Sequence, residues 1–203
     1  MNDTEVEKYM NSLGEDDMTK INRIAELYSE IISLVGEDNS REGLLKTPMR
    51  AAKALWFATS GYRNDASRIM KSAIFEYAGS QMIIVRDIEF YSTCEHHVLP
   101  FFGHVSIGYV PSDKMVGLSK LARLVNVYAR RLQVQERLTQ QICQAVMENL
   151  DARGVIVRVD AEHLCMKMRG VEKQASATTT VHYEGVFKDD PCLRAEFMSN
   201  IGK

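Results

Sequence analysis

The sequence contains no long apolar run. No stretch of about 18 consecutive apolar residues occurs, so we expect no membrane-spanning helix. The first 17 residues are acidic and polar, and they lack both the basic start and the apolar centre of an export signal. We therefore expect a cytoplasmic protein that does not associate with a membrane.

Cysteine is scarce as well. In a chain without an export signal, a few widely spaced thiols are more typical of metal ligands or buried thiols than of a disulfide framework. The 203 residues include four, namely Cys94, Cys143, Cys165 and Cys192.

Neither sign of charge is in excess. Lysine and arginine total 25 and aspartate and glutamate total 27, which gives a formal net charge of -2. Non-specific nucleic-acid binding normally needs a basic surface, so we expect no nucleic-acid partner. A local basic pocket for one anionic ligand remains compatible with this balance. The content of 45% hydrophobic and 26% charged residues is that of an ordinary globular protein.

The spacing of apolar residues predicts two helices near the start of the chain. The first fits Ile21 to Val35. The second opens at Thr47 and Pro48, where Thr47 can cap the helix and Pro48 suits its first turn, and Gly61 ends it.

We take residues 1–60 as an N-terminal helical segment and residues 61–203 as the main domain. In the main domain the pattern predicts two strands, two helices, two strands and a short final helix. This order predicts an α+β fold with an antiparallel sheet backed by helices. The predicted elements are Met82 to Tyr91, Phe102 to Val110, Leu118 to Arg131, Gln135 to Leu150, Val155 to His163, Thr178 to Phe187 and Asp190 to Met198.

A metal-ligand pattern occurs in two distant places. Cys94 and His97 are three residues apart, so a tight turn brings both towards one point. Further along the chain, His163 and Cys165 project from the same face if their segment is extended. Two thiolates and one imidazole, from Cys94, His97 and Cys165, suit zinc, and three protein ligands leave a fourth position for water, as in catalytic sites.

Other interpretations of these residues remain open. A structural zinc site with Cys143 or Cys192 as a fourth ligand is the chief competitor, although Cys143 lies in the middle of a predicted helix and suits the core better. His96 and His163, beside the proposed ligands, suit proton transfer near neutral pH or simple support of the ligands. His104 and His182 have no partner motif, and we expect them to be structural.

Basic residues recur near the starts of predicted helices. Arg50 with Lys53, and Lys120 with Arg123, are each three apart and share a helix face. Arg169 follows the last proposed ligand by four residues. Together these cations could hold a triphosphate, because helix starts also favour anions. Each cation by itself is more typical of a solvated surface.

Glu136 stands at the start of the second central helix. A carboxylate can accept two hydrogen bonds from the N1–H and the exocyclic amine of guanine, a pair of donors that adenine does not offer. A glutamate in the first turn of a helix is also explained by the helix dipole alone, so spacing leaves its role open.

Several motifs follow one another between Cys94 and Thr180, within a resemblance to a known family that runs from about Thr47 to the C-terminus. They are Cys94–His97 (CEHH), Gly117–Arg123 (GLSKLAR), Gln133–Thr139 (QVQERLT), His163–Cys165 (HLC), Met168–Gly170 (MRG) and Ser176–Thr180 (SATTT). In order and spacing this series closely resembles GTP cyclohydrolase I, the first enzyme of folate and pterin synthesis.

The resemblance implies a tunnelling fold, with an antiparallel sheet and two helices on one face, in residues 61–203. It implies an allosteric homo-oligomer, a toroidal decamer whose active sites lie between subunits. It further implies a zinc hydrolase that opens the imidazole ring of GTP, releases formate and forms 7,8-dihydroneopterin triphosphate, in folate or tetrahydrobiopterin synthesis. The zinc ligands it implies are Cys94, His97 and Cys165.

The same resemblance implies roles for other residues. His96 and His163 become acid–base catalysts, and Ser119 a catalytic-site residue near the ribose. Gln135 and Glu136 become the guanine anchor. The implied triphosphate contacts are Arg50, Lys53, Lys120, Arg123 and Arg169.

Three other functions compete with this one. Relatives on the same fold reduce a nitrile on a deazaguanine with a cysteine nucleophile and no zinc, but the paired histidines and the second cysteine favour the hydrolase. A zinc deaminase would need His-x-Glu followed by Pro-Cys-x-x-Cys, and neither occurs. A zinc-stabilised binding protein would hold a metal with four protein ligands.

Overall fold

Two helices form most of the N-terminal unit. The computed structural model describes residues 8–169 and 174–202, and the chain divides into the units Met1–Ser60 and Gly61–Lys203. Helix α1, Glu15–Leu34, packs on helix α2, Thr47–Ala58. Helix α1 begins before the predicted Ile21, and the acidic side chains of its first turn stabilise that start. The buried contacts between the two helices are Ile21, Ala25, Ala52 and Trp56.

The predicted ends of the second helix were wrong. Lys46 occupies the cap position, and Thr47 is the first helical residue. The helix stops at Ala58, and Gly61 lies in a 3₁₀ turn, where its backbone N–H donates to the carbonyl of Arg130 at 2.9 Å. A partner distant in sequence therefore determines the conformation of Gly61.

A five-stranded sheet dominates the second unit. Its strand order is β5-β2-β3-β6-β7, antiparallel except where the short β5 runs parallel to β2. These strands are β2 Ile83–Cys94, β3 Pro100–Val110, β5 Leu132–Gln133, β6 Gly154–His163 and β7 Thr178–Gly185. A separate antiparallel pair consists of β1 Ile74–Glu76 and β4 Lys114–Val116. The helices are α3 Ala66–Lys71, α4 Leu118–Ala129, α5 Gln135–Leu150, α6 Leu164–Lys167, α7 Val186–Asp189 and α8 Pro191–Ile201.

Helices α4 and α5 cover one face of the sheet. Alternate residues of β6, including Val155 and Val157, pack in one core with Leu124 of α4 and Ile142 of α5. The expected α+β tunnelling architecture, an antiparallel sheet with two helices on one face after an N-terminal helical segment, is confirmed. The opposite face, represented by Ile156, packs in a smaller core with residues of α7 and α8.

The sheet has two ends, which we call the His163 end and the Tyr109 end. At the first, Phe101 of β3 lies opposite His163; at the second, Tyr109 lies opposite Val155. Helix α4 reaches the His163 end with its last turn, because Ser92 donates to the carbonyl of Ala129 at 2.6 Å.

The start of helix α4 lies at the Tyr109 end. The backbone N–H of Val116, two residues before the helix, donates to the Tyr109 hydroxyl at 3.4 Å. The helix has 12 residues and therefore spans about 18 Å. Helix α5 has the opposite direction, so its first residues lie at the His163 end.

Among the described residues, no helix is both long enough and apolar enough to span a bilayer.

Candidate functional site

The loop after β2 positions two of the proposed metal ligands. Cys94 is the last residue of β2 and is buried, and its carbonyl accepts a hydrogen bond from Val98 N at 2.8 Å. This tight turn carries His97. Val98 has a φ of 54°, which is strained for a β-branched residue, and such strain is concentrated at functional sites.

Cys165 reaches the same point by a different route from the one predicted. The segment from His163 to Cys165 is not extended, because β6 ends at His163 and the helical turn α6 begins at Leu164. The condition of an extended segment is therefore not met, but the turn still brings the Cys165 thiol to the end of β2.

The ligand atoms of Cys94, His97 and Cys165 all lie within 4.8 Å of one another, and Cys94 Sγ is 3.9 Å from His97 Nδ1. Zinc bonds to sulfur at about 2.3 Å and to imidazole nitrogen at about 2.0 Å, so small side-chain movements suffice to bring all three onto one ion. Within residues 8–169 and 174–202, no other group of histidines, cysteines and carboxylates forms such a cluster. The donor set fits a metal ion of the zinc class.

The other two cysteines lie outside this cluster. Cys143 is fully buried, its thiol donates to the carbonyl of Val155, and burial raises its pKa to about 12. The expectation that Cys143 belongs to the core is confirmed. Cys192 is exposed on α8, and neither thiol contributes a fourth ligand to the cluster.

The protonation of Cys165 depends on its surroundings. Burial raises the pKa of its thiol, and the neighbouring Cys94 raises it further. Two adjacent thiolates repel each other unless a cation lies between them. Metal binding at this site therefore has to displace protons.

His163 is held by a stacked ring and one hydrogen bond. Its ring lies parallel to that of Phe101, with centroids 4.6 Å apart, and its Nε2 is 2.8 Å from Gln135 Oε1. The amide nitrogen of Gln135 donates to the carbonyls of Val159 and Thr178, at 3.0 and 2.9 Å. Since these two bonds use both amide hydrogens, the oxygen of Gln135 must face the histidine. Neutral His163 therefore donates from Nε2 and keeps Nδ1 free to accept a proton.

The surroundings of His163 favour its neutral form. Burial lowers its pKa below the ordinary value, and the nearby Glu136 carboxylate offsets part of that effect. A neutral imidazole with a free Nδ1 is the form required of a proton acceptor near neutral pH.

His96 lies on the solvent side of the cluster. Its side chain is 63% exposed, and its Nδ1 is 3.9 Å from Cys94 Sγ. Its ring meets that of His97 edge to face at a centroid distance of 6.2 Å. His96 is therefore open to bulk water while it borders the proposed metal ligands.

A cavity of about 230 Å³ opens beside the cluster. Glu136 is exposed at its wall, whereas Gln135 is only 1% exposed and its side chain is already fully hydrogen-bonded. Complete small-molecule sites measure roughly 300–1,000 Å³, so this cavity is smaller than a complete site. It is lined by Cys94, His96, His97, Gln133, Val134, Gln135, Glu136, His163, Cys165, Met166 and Thr178.

The predicted cations are distributed over three places. Arg169 is exposed and close enough to Cys165 to lower the pKa of its thiol, although burial and Cys94 outweigh it. Ser119, Lys120 and Arg123 lie in the first turns of α4, at the Tyr109 end of the sheet and away from the cluster. The other two cations, Arg50 and Lys53, lie on α2 in the N-terminal unit. Gly170, the last residue of the MRG motif, lies outside the described residues.

Sequence spacing missed one pair in the site. Arg137 of α5 and Glu95 of the metal loop form a two-pronged ion pair, with N–O distances of 2.6 and 2.9 Å. The hydrogen bonds from Arg137 hold the pKa of Glu95 below its ordinary value. Both residues lie inside motifs, but no local pattern links positions 42 residues apart.

Comparison with known proteins identifies the family. The family model of GTP cyclohydrolase I matches residues 24–202. The chain belongs to the GTP cyclohydrolase I family.

Individual members of the family are similar over most of their length. GTP cyclohydrolase 1 of Porphyromonas gingivalis is 53% identical over 181 residues, which are 89% of this chain and 93% of the relative. The enzyme of that name from Leptospira biflexa is 54% identical over 86% of this chain and 96% of its own. A solved structure, that of the archaeosine synthase QueF-Like in the apo form, aligns with a TM-score of 0.43 at 17% identity, over 54% of this chain and 97% of its own.

The geometry around Gln135 predicts the tautomer of His163. In metal-free protein labelled with ¹⁵N-histidine, we expect neutral His163 to carry its proton on Nε2 and to titrate below the ordinary histidine pKa. Long-range ¹⁵N–¹H spectra report both properties, and the spectrum of His163→Gln assigns the resonance. A dominant Nδ1–H tautomer for neutral His163 would contradict the hydrogen-bond assignment.

The thiol cluster predicts metal binding that depends on pH. We expect zinc affinity, measured by competition with a chromogenic chelator, to rise between about pH 6 and 8 because the thiols must lose protons. Cys165→Ser should weaken binding by more than roughly 100-fold, since it removes a ligand itself. Cys192→Ser is the matched control and should bind zinc normally. Equal affinity in the two variants would remove Cys165 from the ligand set.

Proposed function

We propose that this chain is a GTP cyclohydrolase I that hydrolyses the guanine imidazole ring of GTP, with release of formate and formation of 7,8-dihydroneopterin triphosphate. Membership of the family supports the reaction. The observation that carries the proposal for this chain is a single cavity that contains the metal-ligand cluster, His163 and Glu136. Since the ligands include reduced thiols, we place the enzyme in the cytoplasm, where thiols stay reduced.

Zinc is the metal we propose for Cys94, His97 and Cys165. Two thiolates and one imidazole are a common catalytic zinc set with one position left for water. When bound, zinc supplies a water molecule whose pKa is lowered to about 7. Cys94, His97 and Cys165 would hold this ion beside the cavity, where the attack on C8, the carbon that leaves as formate, would take place.

The two histidines divide the proton transfers between them. Opening the imidazole ring requires a proton on the ring nitrogen that leaves C8. His163 is held rigidly by Gln135 and Phe101, so its Nδ1 is placed to accept a proton and return it to the substrate. The exposed His96 exchanges protons between the site and bulk water.

Glu136 recognises the base. Its carboxylate accepts from the N1–H and the exocyclic amine of guanine, and it reaches the cavity from the first turn of α5. Because Gln135 has no free side-chain donor in this conformation, Glu136 is the principal side-chain anchor. Adenine has no N1–H, so ATP is rejected.

A second copy of the chain completes the site. The cavity in one chain is small, and Ser119, Lys120 and Arg123 lie at the far end of the sheet. We propose that a neighbouring chain contributes these residues, which would then contact the ribose and triphosphate. This arrangement agrees with the decamer implied by the family resemblance, and Arg50, Lys53 and Arg169 complete the anion contacts we propose.

The competing functions fit the site less well. A nitrile reductase of this fold uses one cysteine as nucleophile, whereas here both thiols and an imidazole converge within 4.8 Å. A zinc-stabilised scaffold would have a fourth protein ligand, and none joins the three within residues 8–169 and 174–202.

Turnover of GTP tests the proposal directly. Incubation with GTP should release formate and give a fluorescent pterin after oxidation, and a chelator should abolish both until zinc is restored. ATP should release no formate. If the zinc-loaded protein binds GTP without releasing formate, the proposal fails.

A single substitution separates base recognition from metal binding. Glu136→Gln should lower kcat/KM for GTP by roughly 10- to 100-fold, because hydrogen bonds to a charged group are lost, while zinc content stays unchanged. Glu148→Gln, an exposed glutamate on the same helix, is the control and should behave like the original protein. Loss of zinc in the Glu136 variant would show that Glu136 supports the metal instead.

A further inference from the structure

The ion pair between Glu95 and Arg137 connects two parts of the site that are distant in sequence. Glu95 directly follows the ligand Cys94, and Arg137 directly follows Glu136. The guanidinium group of Arg137 makes parallel hydrogen bonds to both carboxylate oxygens, at 2.6 and 2.9 Å. Such two-pronged geometry fixes orientation as well as distance, which a single contact does not do.

The backbone around the pair supports the same connection. Glu95 N donates to the carbonyl of Gln133 at 3.0 Å, and Cys94 lies opposite Gln133 where β2 and β5 run parallel. The neighbouring Leu132 N donates to the Tyr62 hydroxyl at 3.1 Å. The segment that leads into α5 is thus bonded to the loop that follows Cys94. Among the described residues, the pair of Arg137 and Glu95 is the only side-chain ion pair between α5 and this loop.

Stability alone does not account for this pair. Its side chains are 30% and 44% exposed, and ion pairs that solvent reaches contribute little to folding. The pair can instead set the rotation of the first turn of α5, and with it the direction of the Glu136 side chain. We infer that Glu95 and Arg137 are positioning residues that align the base anchor Glu136 with the metal ligands.

This inference rests on the proposed function and sharpens it. Glu136 would fix the guanine, and the ligand cluster would hold the metal ion that supplies the attacking water. The ion pair determines how these two points lie relative to each other. Breaking the ion pair keeps Glu136 and the ligand cluster in the folded protein but changes their relative position. An error of about 1 Å between reacting groups can cost roughly 100-fold in rate.

Arg137→Lys is the principal test, because it keeps the charge and removes the planar two-pronged geometry. We expect kcat for GTP to fall about 10- to 100-fold, while KM and zinc affinity stay within about twofold. Glu95→Gln should have a similar effect. The double variant Glu95→Gln with Arg137→Lys should be no worse than the poorer single variant, because both changes break one contact.

Arg41→Lys provides the matched control. Arg41 also makes a two-pronged contact with a carboxylate, from Nε and Nη2 to Glu37 at 3.0 and 2.8 Å, in the N-terminal unit. Its variant should keep full turnover. A comparable loss in Arg41→Lys, or unchanged kcat in both Arg137→Lys and Glu95→Gln, would overturn the inference. Loss of turnover in proportion to loss of zinc would also overturn it, since the pair would then serve metal binding.

Hydrogen exchange gives a readout that does not need turnover. In Arg137→Lys, backbone amides of residues 95–98 should exchange faster than in the original protein, with the melting temperature nearly unchanged. Unaltered exchange there would overturn the inference. If the original protein releases no formate, the proposed function fails on that result, and the exchange measurement still decides whether the pair holds the loop.

Discussion

The site depends on the register of three adjacent strands. Strand β3 lies between β2 and β6, and its first residues hold the ends of the other two side by side. Cys94 ends β2, and His163 ends β6, two residues before Cys165. A shift of one residue in either pairing would turn every side chain to the other face and separate the two thiols. The metal cluster is therefore a consequence of sheet pairing, and the apolar core against α4 and α5 maintains that pairing.

Helix α5 connects this sheet end to Glu136, the proposed base anchor. Its first residue, Gln135, is buried and joins β6, β7 and His163 through one amide group. The next two residues, Glu136 and Arg137, face the cavity and the metal loop respectively. Three consecutive side chains thus reach three different surroundings, because successive residues on a helix point in directions about 100° apart.

Apolar periodicity was sufficient to predict most of the fold from the sequence. The seven strands and helices predicted for the sheet domain appear within a few residues of their predicted bounds, and α5 has both ends as predicted, because one buried face imposes a clear repeat. The shorter elements β1, β4, β5, α3, α6 and α7 were not predicted. The ends determined by distant partners were not predictable. Thr47 and Gly61 have the local signals of a cap and a stop, yet their roles differ from those signals.

The site was predictable in its residue types and less so in its geometry. The Cys94–His97 spacing and the family motifs predicted that the proposed metal ligands lie close together. In the structure the ligand atoms of Cys94, His97 and Cys165 do form one cluster. The helical turn at Cys165, the buried amide of Gln135 and the Glu95–Arg137 pair depend on contacts between distant segments, which spacing does not encode. The position of Lys120 and Arg123 at the far end of the sheet is likewise a property of the folded chain.

X-ray absorption at the zinc edge of the purified, metal-loaded protein tests the central claim most directly. The account predicts a four-coordinate ion with two sulfur ligands, one imidazole nitrogen and one further light atom that an added small anion can replace. Four protein ligands that no anion displaces, or a first shell with fewer than two sulfurs, would contradict it.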